Sequence, residues 1–225
     1  MRTAAILPVK SFGAAKQRLG SLLGSGSRQA LAQAMYQDVL ASLRKVEAIE
    51  QIAVVASEPT VEFAADEQIL LLEDDVHDGQ SPAALIGIRW AVEAGFERVL
   101  LVPGDTPLLA PAELEELLAG AEEAVVIMPD RHGTGTNGLL LTPPTAIEPS
   151  FGPDSLARHV AAAEAAGVSH RVERVESLTF DVDTSDDLAL VVQLIESSRA
   201  VAPRTRGALR QLDRAGARLK VGAES

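Results

Sequence analysis

The chain has 225 residues, 47% of them apolar and 23% charged, which excludes disordered, collagen-like and coiled-coil classes and suits one α/β domain burying roughly 70–75% of its unfolded surface. The absence of cysteine excludes disulfides, thiol nucleophiles and cysteine-based zinc sites. A formal charge of −12 argues against general nucleic-acid binding, and so acidic a body handles phosphates only with a local cluster of cations or a metal.

Short runs rich in Val, Ile and Leu alternate with longer segments of helical period, the pattern of crossover units on a largely parallel sheet. The first strand is predicted at 3–8. It leads into Val9-Lys10-Ser11-Phe12-Gly13-Ala14-Ala15-Lys16-Gln17-Arg18, where Lys10, Lys16 and Arg18 form the cation cluster that phosphate binding needs. An ordinary exposed basic loop is the alternative, and no Walker loop occurs in the chain. From Ser27 to Val46 the apolar positions Leu31, Ala34, Met35, Val39, Leu40 and Leu43 predict a helix, with Ser27 as its cap.

Strands at 51–56 and 69–72 follow, then a helix at 82–94 and a strand at 98–102. That strand ends in Pro103-Gly104-Asp105-Thr106-Pro107, and ligands of open α/β sheets bind beyond the carboxyl ends of strands. Asp105 is therefore either a metal ligand or a turn cap. A helix at 111–119 and a strand at 124–128 lead to Gly133-Thr134-Gly135-Thr136-Asn137-Gly138. This run matches the dinucleotide fingerprint in letters but precedes a strand at 137–141, so its required context fails. What remains is a loop whose amides and hydroxyls could cradle an anion.

Phe151-Gly152-Pro153-Asp154-Ser155 opens a helix at 154–166, a second place where backbone amides could meet a phosphate or simply form a capped turn. Strands are predicted at 170–174 and 178–182. In the latter, alternation sets Leu178, Phe180 and Val182 on one face and Asp181 with Asp183 on the other. Two carboxylates that close repel unless a cation sits between them, and hard oxygen donors suit magnesium, with manganese as the alternative ion. Asp186 and Asp187 read as first-turn acids of a helix at 186–197 capped by Thr184 or Ser185.

The histidines at 77, 132, 159 and 170 show no metal spacing; only His132 lies in a loop that could approach a ligand, and structural or surface roles suit all four. No nucleophile elbow occurs. No apolar run reaches the roughly 18–20 residues of a membrane span, and the opening reads as that of a cytoplasmic protein. Residues 1–198 read as one domain. From Arg199 seven Lys/Arg face two Asp/Glu, so 199–225 is a basic tail or helix on a body of charge −17, with Arg206, Arg210, Arg214 and Arg218 along one helical face.

Taken in order, the loop with Lys10, Lys16 and Arg18, the turn at 103–107, Pro129-Asp130-Arg131 leading into Gly133-Thr134-Gly135-Thr136-Asn137, then Phe151-Gly152-Pro153-Asp154-Ser155 and Asp181-Val182-Asp183-Thr184, resemble one family. The chain is similar to the guanylyltransferases of deazaflavin coenzyme F-420 biosynthesis, which join GMP to phosphoenolpyruvate or 2-phospho-L-lactate. The resemblance covers about residues 3–195. It implies a three-layer α/β/α nucleotide-diphosphate-transferase fold, of the glycosyltransferase-A and molybdopterin-guanine-dinucleotide type, with a mostly parallel mixed sheet. Where the wider class opens with a Gly-rich loop, this chain has Pro8-Val9-Lys10-Ser11-Phe12-Gly13, which favours the phospho-acid branch.

The resemblance further implies that Asp105, Asp181 and Asp183 hold magnesium and that Thr136, Gly152 and Ser155 contact the three-carbon phospho-acid. Lys10, Lys16 and Arg18 are then the catalytic cations. Lys10 and Lys16 also serve the nucleotide, and Gln80 and Ser81, which follow the strand at 69–72, are candidates for its base or ribose side by their place in the chain. The partners of this reading are GTP and the phospho-acid, with a downstream transferase enzyme and a second copy of the chain as open alternatives, and without nucleic acid or membrane. Two other readings stay open: a CTP-dependent transferase of sugar or alditol phosphates, and a GTP-binding module without turnover.

Overall fold

The computed structural model describes residues 1–9, 16–56, 68–74, 79–198 and 201–214. Its β-sheet has seven strands: β1 (Thr3–Val9), β2 (Gln51–Ala56), β3 (Ile69–Glu73), β4 (Arg98–Leu101), β5 (Val125–Pro129), β6 (Thr136–Leu141) and β7 (His170–Val172). They lie in the order β3-β2-β1-β4-β6-β5-β7. Only β6 runs antiparallel to its neighbours, so the sheet is mixed but mostly parallel.

The strands β1, β2, β4, β5 and β6 are buried on both faces, as expected for Val/Ile/Leu runs covered by helices on either side. The two-residue period divides β1 between two cores: Ala5, Leu7 and Val9 enter one, Ala4 and Ile6 the other. The first core is completed by α1 (Ser25–Leu43), α3 (Pro111–Gly120), α5 (Ser185–Ser197) and α6 (Pro203–Arg214). The second is completed by α2 (Gln80–Glu93) and α4 (Ser155–Ala166). This is the three-layer α/β/α arrangement. Gly87 lets α2 close on β1, because a Cβ there would stand 2.4 Å from Ile6 Cγ2.

The chain winds from β1 through β2 to β3 on one side, then returns to place β4 on the other side of β1. The resulting switch point between β1 and β4 is where open α/β sheets form their ligand crevice. The segments after β1 and β4 carry Lys16 and Asp105. Among the described residues no helix is long and apolar enough to cross a membrane.

Two local expectations are corrected. Residues 178–182 are not a strand: the sheet ends at β7, and the chain passes through a 3-10 turn (Glu176–Leu178) and an irregular stretch unpaired with the sheet before α5. Helix α1 begins at Ser25 behind Gly24 and has no side-chain cap, so Ser27 lies inside it. The cap at Thr184 is present, with Thr184 and Asp187 forming a reciprocal capping box.

Helix α6 packs along α1. Leu209 and Leu212 are buried in the first core, and Asp38 of α1 accepts hydrogen bonds from the amides of Arg204 at 3.1 Å and Thr205 at 2.7 Å. Arg206 turns back to the Ser198 and Val201 carbonyls, while Arg210 and Arg214 are exposed. Arg218 lies outside the described residues.

Candidate functional site

Lys16 adopts a left-handed backbone, φ 56° and ψ 40°, at the head of a 3-10 turn anchored by the buried Leu19. A non-glycine residue in that region is costly and is held only where its surroundings demand it. Here the side chain is drawn inward and is only 7% exposed. Its ammonium donates to Asp105 Oδ2 and, at 3.1 Å, to Asp183 Oδ1. Burial works against the charged amine, but the charges of Asp105 and Asp183 and the hydrogen bonds to both outweigh it, so the Lys16 pKa is raised.

Asp181 stands beside this pair. Burial pushes its carboxyl up to about 6; a hydrogen bond from Asn137 opposes the shift, and the charges of Asp105 and Asp183 add to it. Asn137 Nδ2 donates to Asp181 Oδ1 at 3.0 Å and to the Leu178 carbonyl at 2.8 Å, fixing the unpaired stretch from the sheet side. The Val182 amide donates to the Asp105 carbonyl at 3.2 Å, joining the two acidic segments. Asp183 is held through its amide, which donates to Asp187 Oδ2 at 3.1 Å. Asp187 also pairs with Arg131, so the first-turn acid of α5 ties the 130–135 loop to the acidic segment.

Thr136 opens β6 at the same end of the strands, beyond the carboxyl end of β4. Its hydroxyl is 3.0 Å from His159 Nδ1, and His159 Nε2 accepts from the Ser150 amide at 2.8 Å. The loop before α4 is held by Arg158, which donates to Ser150 Oγ and to the carbonyls of Ser150, Phe151 and Pro153. Gly152 at φ 113° and Asp154 at φ 55° make the turn into α4, where a left-handed backbone favours glycine. Ser155 is buried at the start of α4. The Leu156 amide donates to the Thr134 carbonyl at 3.1 Å, seating the α4 start on the glycine loop.

That loop is closed by its own polar groups. The amides of Gly133 and Thr134, read above as part of an anion cradle, donate to the Asp130 carbonyl and to Asp130 Oδ1. At Gly135 a Cβ would stand 2.7 Å from Asp130 Oδ2, so a larger residue there would push that carboxylate aside.

The predicted site residues thus divide. Lys16, Asp105, Asp181 and Asp183 come together; Thr136, Gly152 and Ser155 flank the neighbouring strand and helix start. Arg18 is exposed and makes no ion pair or hydrogen bond with a described residue, and Lys10 lies outside the described residues. Gln80 and Ser81 open α2, and the Ser81 hydroxyl accepts from the Phe151 amide at 2.8 Å, which ties that helix to the loop before α4. Sequence reasoning missed Asn137, Arg158 and the partnership of His159 with Thr136. Asn137 sat in plain view beside Thr136, but an Asn in a glycine-rich loop reads as turn chemistry.

Among the described residues no group of three or more His, Asp or Glu side chains converges to hold a metal ion as it stands. The donors nonetheless suit a hard cation: the Lys16 ammonium occupies a cation's place between Asp105 and Asp183, and Asp181 lies within their field. Magnesium commonly uses one or two carboxylates and completes its shell with water and substrate phosphate.

The chain matches the family described as guanylyl transferase CofC like over residues 3–202. It is 47% identical to the phosphoenolpyruvate guanylyltransferase of Conexibacter woesei over 216 residues, covering 94% of this chain and 97% of that one. It is 32% identical to the 2-phospho-L-lactate guanylyltransferase of Methanothermobacter thermautotrophicus, covering 89% and 88%. A crystal structure from Desulfovibrio desulfuricans, provisionally named a nucleotide-diphospho-sugar transferase, superposes with a TM-score of 0.77 at 17% identity over 99% of this chain and 100% of that one.

Proposed function

Because the chain belongs to the family described as guanylyl transferase CofC like, and is thereby a nucleotidyltransferase, we propose that it transfers GMP from GTP to phosphoenolpyruvate and releases pyrophosphate. The observation that carries this reading is the Lys16 ammonium bridged to Asp105 and Asp183 at the sheet's switch point, with Asp181 beside them. A phosphate oxygen of the acceptor attacks the α-phosphorus, the new P–O bond forms, and the bond to pyrophosphate breaks.

Joining two polyanions requires cations at the point of reaction, since fixed charges aimed at the reacting phosphoryl group lower the barrier without reorganisation. Lys16 is one, held buried and charged by the two aspartates. Lys10 and Arg18, which flank it in sequence, supply charge to the triphosphate. Asp105, Asp181 and Asp183 would hold magnesium, which neutralises phosphate charge and orients the phosphates when bound. Lys16 then gives up its carboxylate partners and turns to the substrate phosphates.

Thr136, Gly152 and Ser155 receive the three-carbon phospho-acid. Gln80 and Ser81 at the start of α2 face the nucleoside. Phosphoenolpyruvate is favoured over 2-phospho-L-lactate because the relative of that name is 47% identical, against 32% for the other. The test is pyrophosphate release with magnesium, using GTP or CTP against each acceptor. Release that needs both GTP and phosphoenolpyruvate supports the reading; release with CTP, or equal rates without acceptor, refutes it.

A further inference from the structure

We propose that His159 is a positioning residue that sets the Thr136 hydroxyl as a hydrogen-bond donor toward the anionic oxygens of the acceptor. The inference rests on the reading above that Thr136 contacts the acceptor.

The polarity follows from one backbone amide. The Ser150 N–H can only donate, and it meets His159 Nε2 at 2.8 Å, so Nε2 carries the lone pair and the ring proton lies on Nδ1. The Nδ1–H then donates to Thr136 Oγ1 at 3.0 Å. With that oxygen already accepting, the hydroxyl hydrogen points away from the ring, and among the described residues it meets no other acceptor. The opposite tautomer would have Thr136 donate to His159 and offer lone pairs outward, which repel a phosphate or carboxylate oxygen.

The surroundings hold this arrangement. His159 is fully buried, Phe151 packs edge-on against its ring at 5.4 Å, and Arg158 binds the loop carrying Ser150. Burial and the adjacent Arg158 charge keep the ring neutral, as the Ser150 contact requires. Thr136 is itself 8% exposed and precedes Asn137, which holds Asp181, so one short stretch of β6 serves both the acceptor and the acidic cluster.

Two measurements test this on the full chain. Long-range ¹H–¹⁵N correlation, with the His159 signals identified by their loss in His159→Gln, should show Nδ1 protonated and Nε2 bare at neutral pH; the reverse tautomer overturns the proposal without reference to any substrate. Steady-state kinetics then use Thr136→Val, His159→Gln, which keeps an acceptor for Ser150 but loses the Nδ1 donor, and His159→Asn, which keeps that donor. Thr136→Val should raise the KM for phosphoenolpyruvate about 10-fold or more, as for a lost bond to a charged group, with the KM for GTP within about twofold. His159→Gln should do the same and add less than about twofold in the Thr136→Val background, while His159→Asn restores most of the affinity. An unchanged KM in Thr136→Val refutes the acceptor reading and the inference with it. A large Thr136→Val effect beside a silent His159→Gln, additive effects, or equal loss of GTP affinity overturns the inference alone.

Discussion

Lys16 and Asp183 stand 167 residues apart in the chain, yet the Lys16 ammonium lies 3.1 Å from the Asp183 carboxylate and bonds Asp105 as well. The sheet's switch point brings the segments after β1 and β4 together, and the unpaired stretch before α5 closes over them. The two carboxylates hold the buried Lys16 amine in its charged state.

Removing the bridging amine should cost catalysis more than stability. Asp105 and Asp183 keep 28% and 53% of their side chains exposed, so water can solvate them when Lys16 is gone. Lys16→Met should lower kcat/KM about 100-fold or more while leaving thermal unfolding within a few degrees. Lys16→Arg should not rescue it, because a planar guanidinium cannot replace a point charge in so confined a place. Pyrophosphate release and a melting curve on the same preparations check both statements.

The acidic cluster makes a complementary prediction. Asp105→Asn and Asp183→Asn each keep the side-chain shape but remove a charge, and kcat should fall about 100-fold or more with an unchanged circular dichroism spectrum. Chelation of divalent ions should stop turnover in the parent protein, and added magnesium should restore it. Near-normal turnover in both variants would contradict the assignment.

His159 gives the fold a pH dependence of known sign. Burial and the Arg158 charge push its pKa down to about 4, whereas the unfolded ring titrates near 6.5. Between those values the unfolded chain binds more protons, so this stability is fully present above about pH 6.5 and is lost as the pH falls toward 4, on the order of 3 kcal/mol. Denaturant unfolding from pH 7 to pH 4 should show a steeper loss in the parent protein than in His159→Gln. Equal slopes would contradict it.

Asp38 tests the attachment of α6. It is 3% exposed and receives both first-turn amides, so Asp38→Ala should destabilise the protein by about 1–2 kcal/mol. Asp38→Asn, which still caps, should cost less, and neither should alter kcat because Asp38 takes no part in the Lys16 cluster. Chemical denaturation with a parallel activity assay decides it.

Much of this was legible in the sequence because burial leaves a periodic mark. The strands around Ile6, Val54, Leu100 and Leu140 announce themselves as apolar runs, and Asp105 stands out as the charged residue at the end of one of them. The alternation at 178–182 misled: Leu178 and Val182 are buried as it implies, but so is Thr179, and a periodic apolar pattern does not say whether a neighbouring strand exists to pair with. Spacing could not single out Lys16 among three clustered cations, since that depends on a left-handed backbone at one residue. Nor could it find His159, whose role is set by a hydrogen bond to Thr136 across 23 residues of chain.

The most direct test of the account is to incubate the protein with GTP, magnesium and phosphoenolpyruvate and follow the intact product by mass alongside pyrophosphate at early times. The account predicts a GMP–phosphoenolpyruvate diphosphate adduct formed in step with pyrophosphate and absent in Lys16→Met. Pyrophosphate without the adduct, or an adduct that Lys16→Met forms at the parent rate, would contradict it.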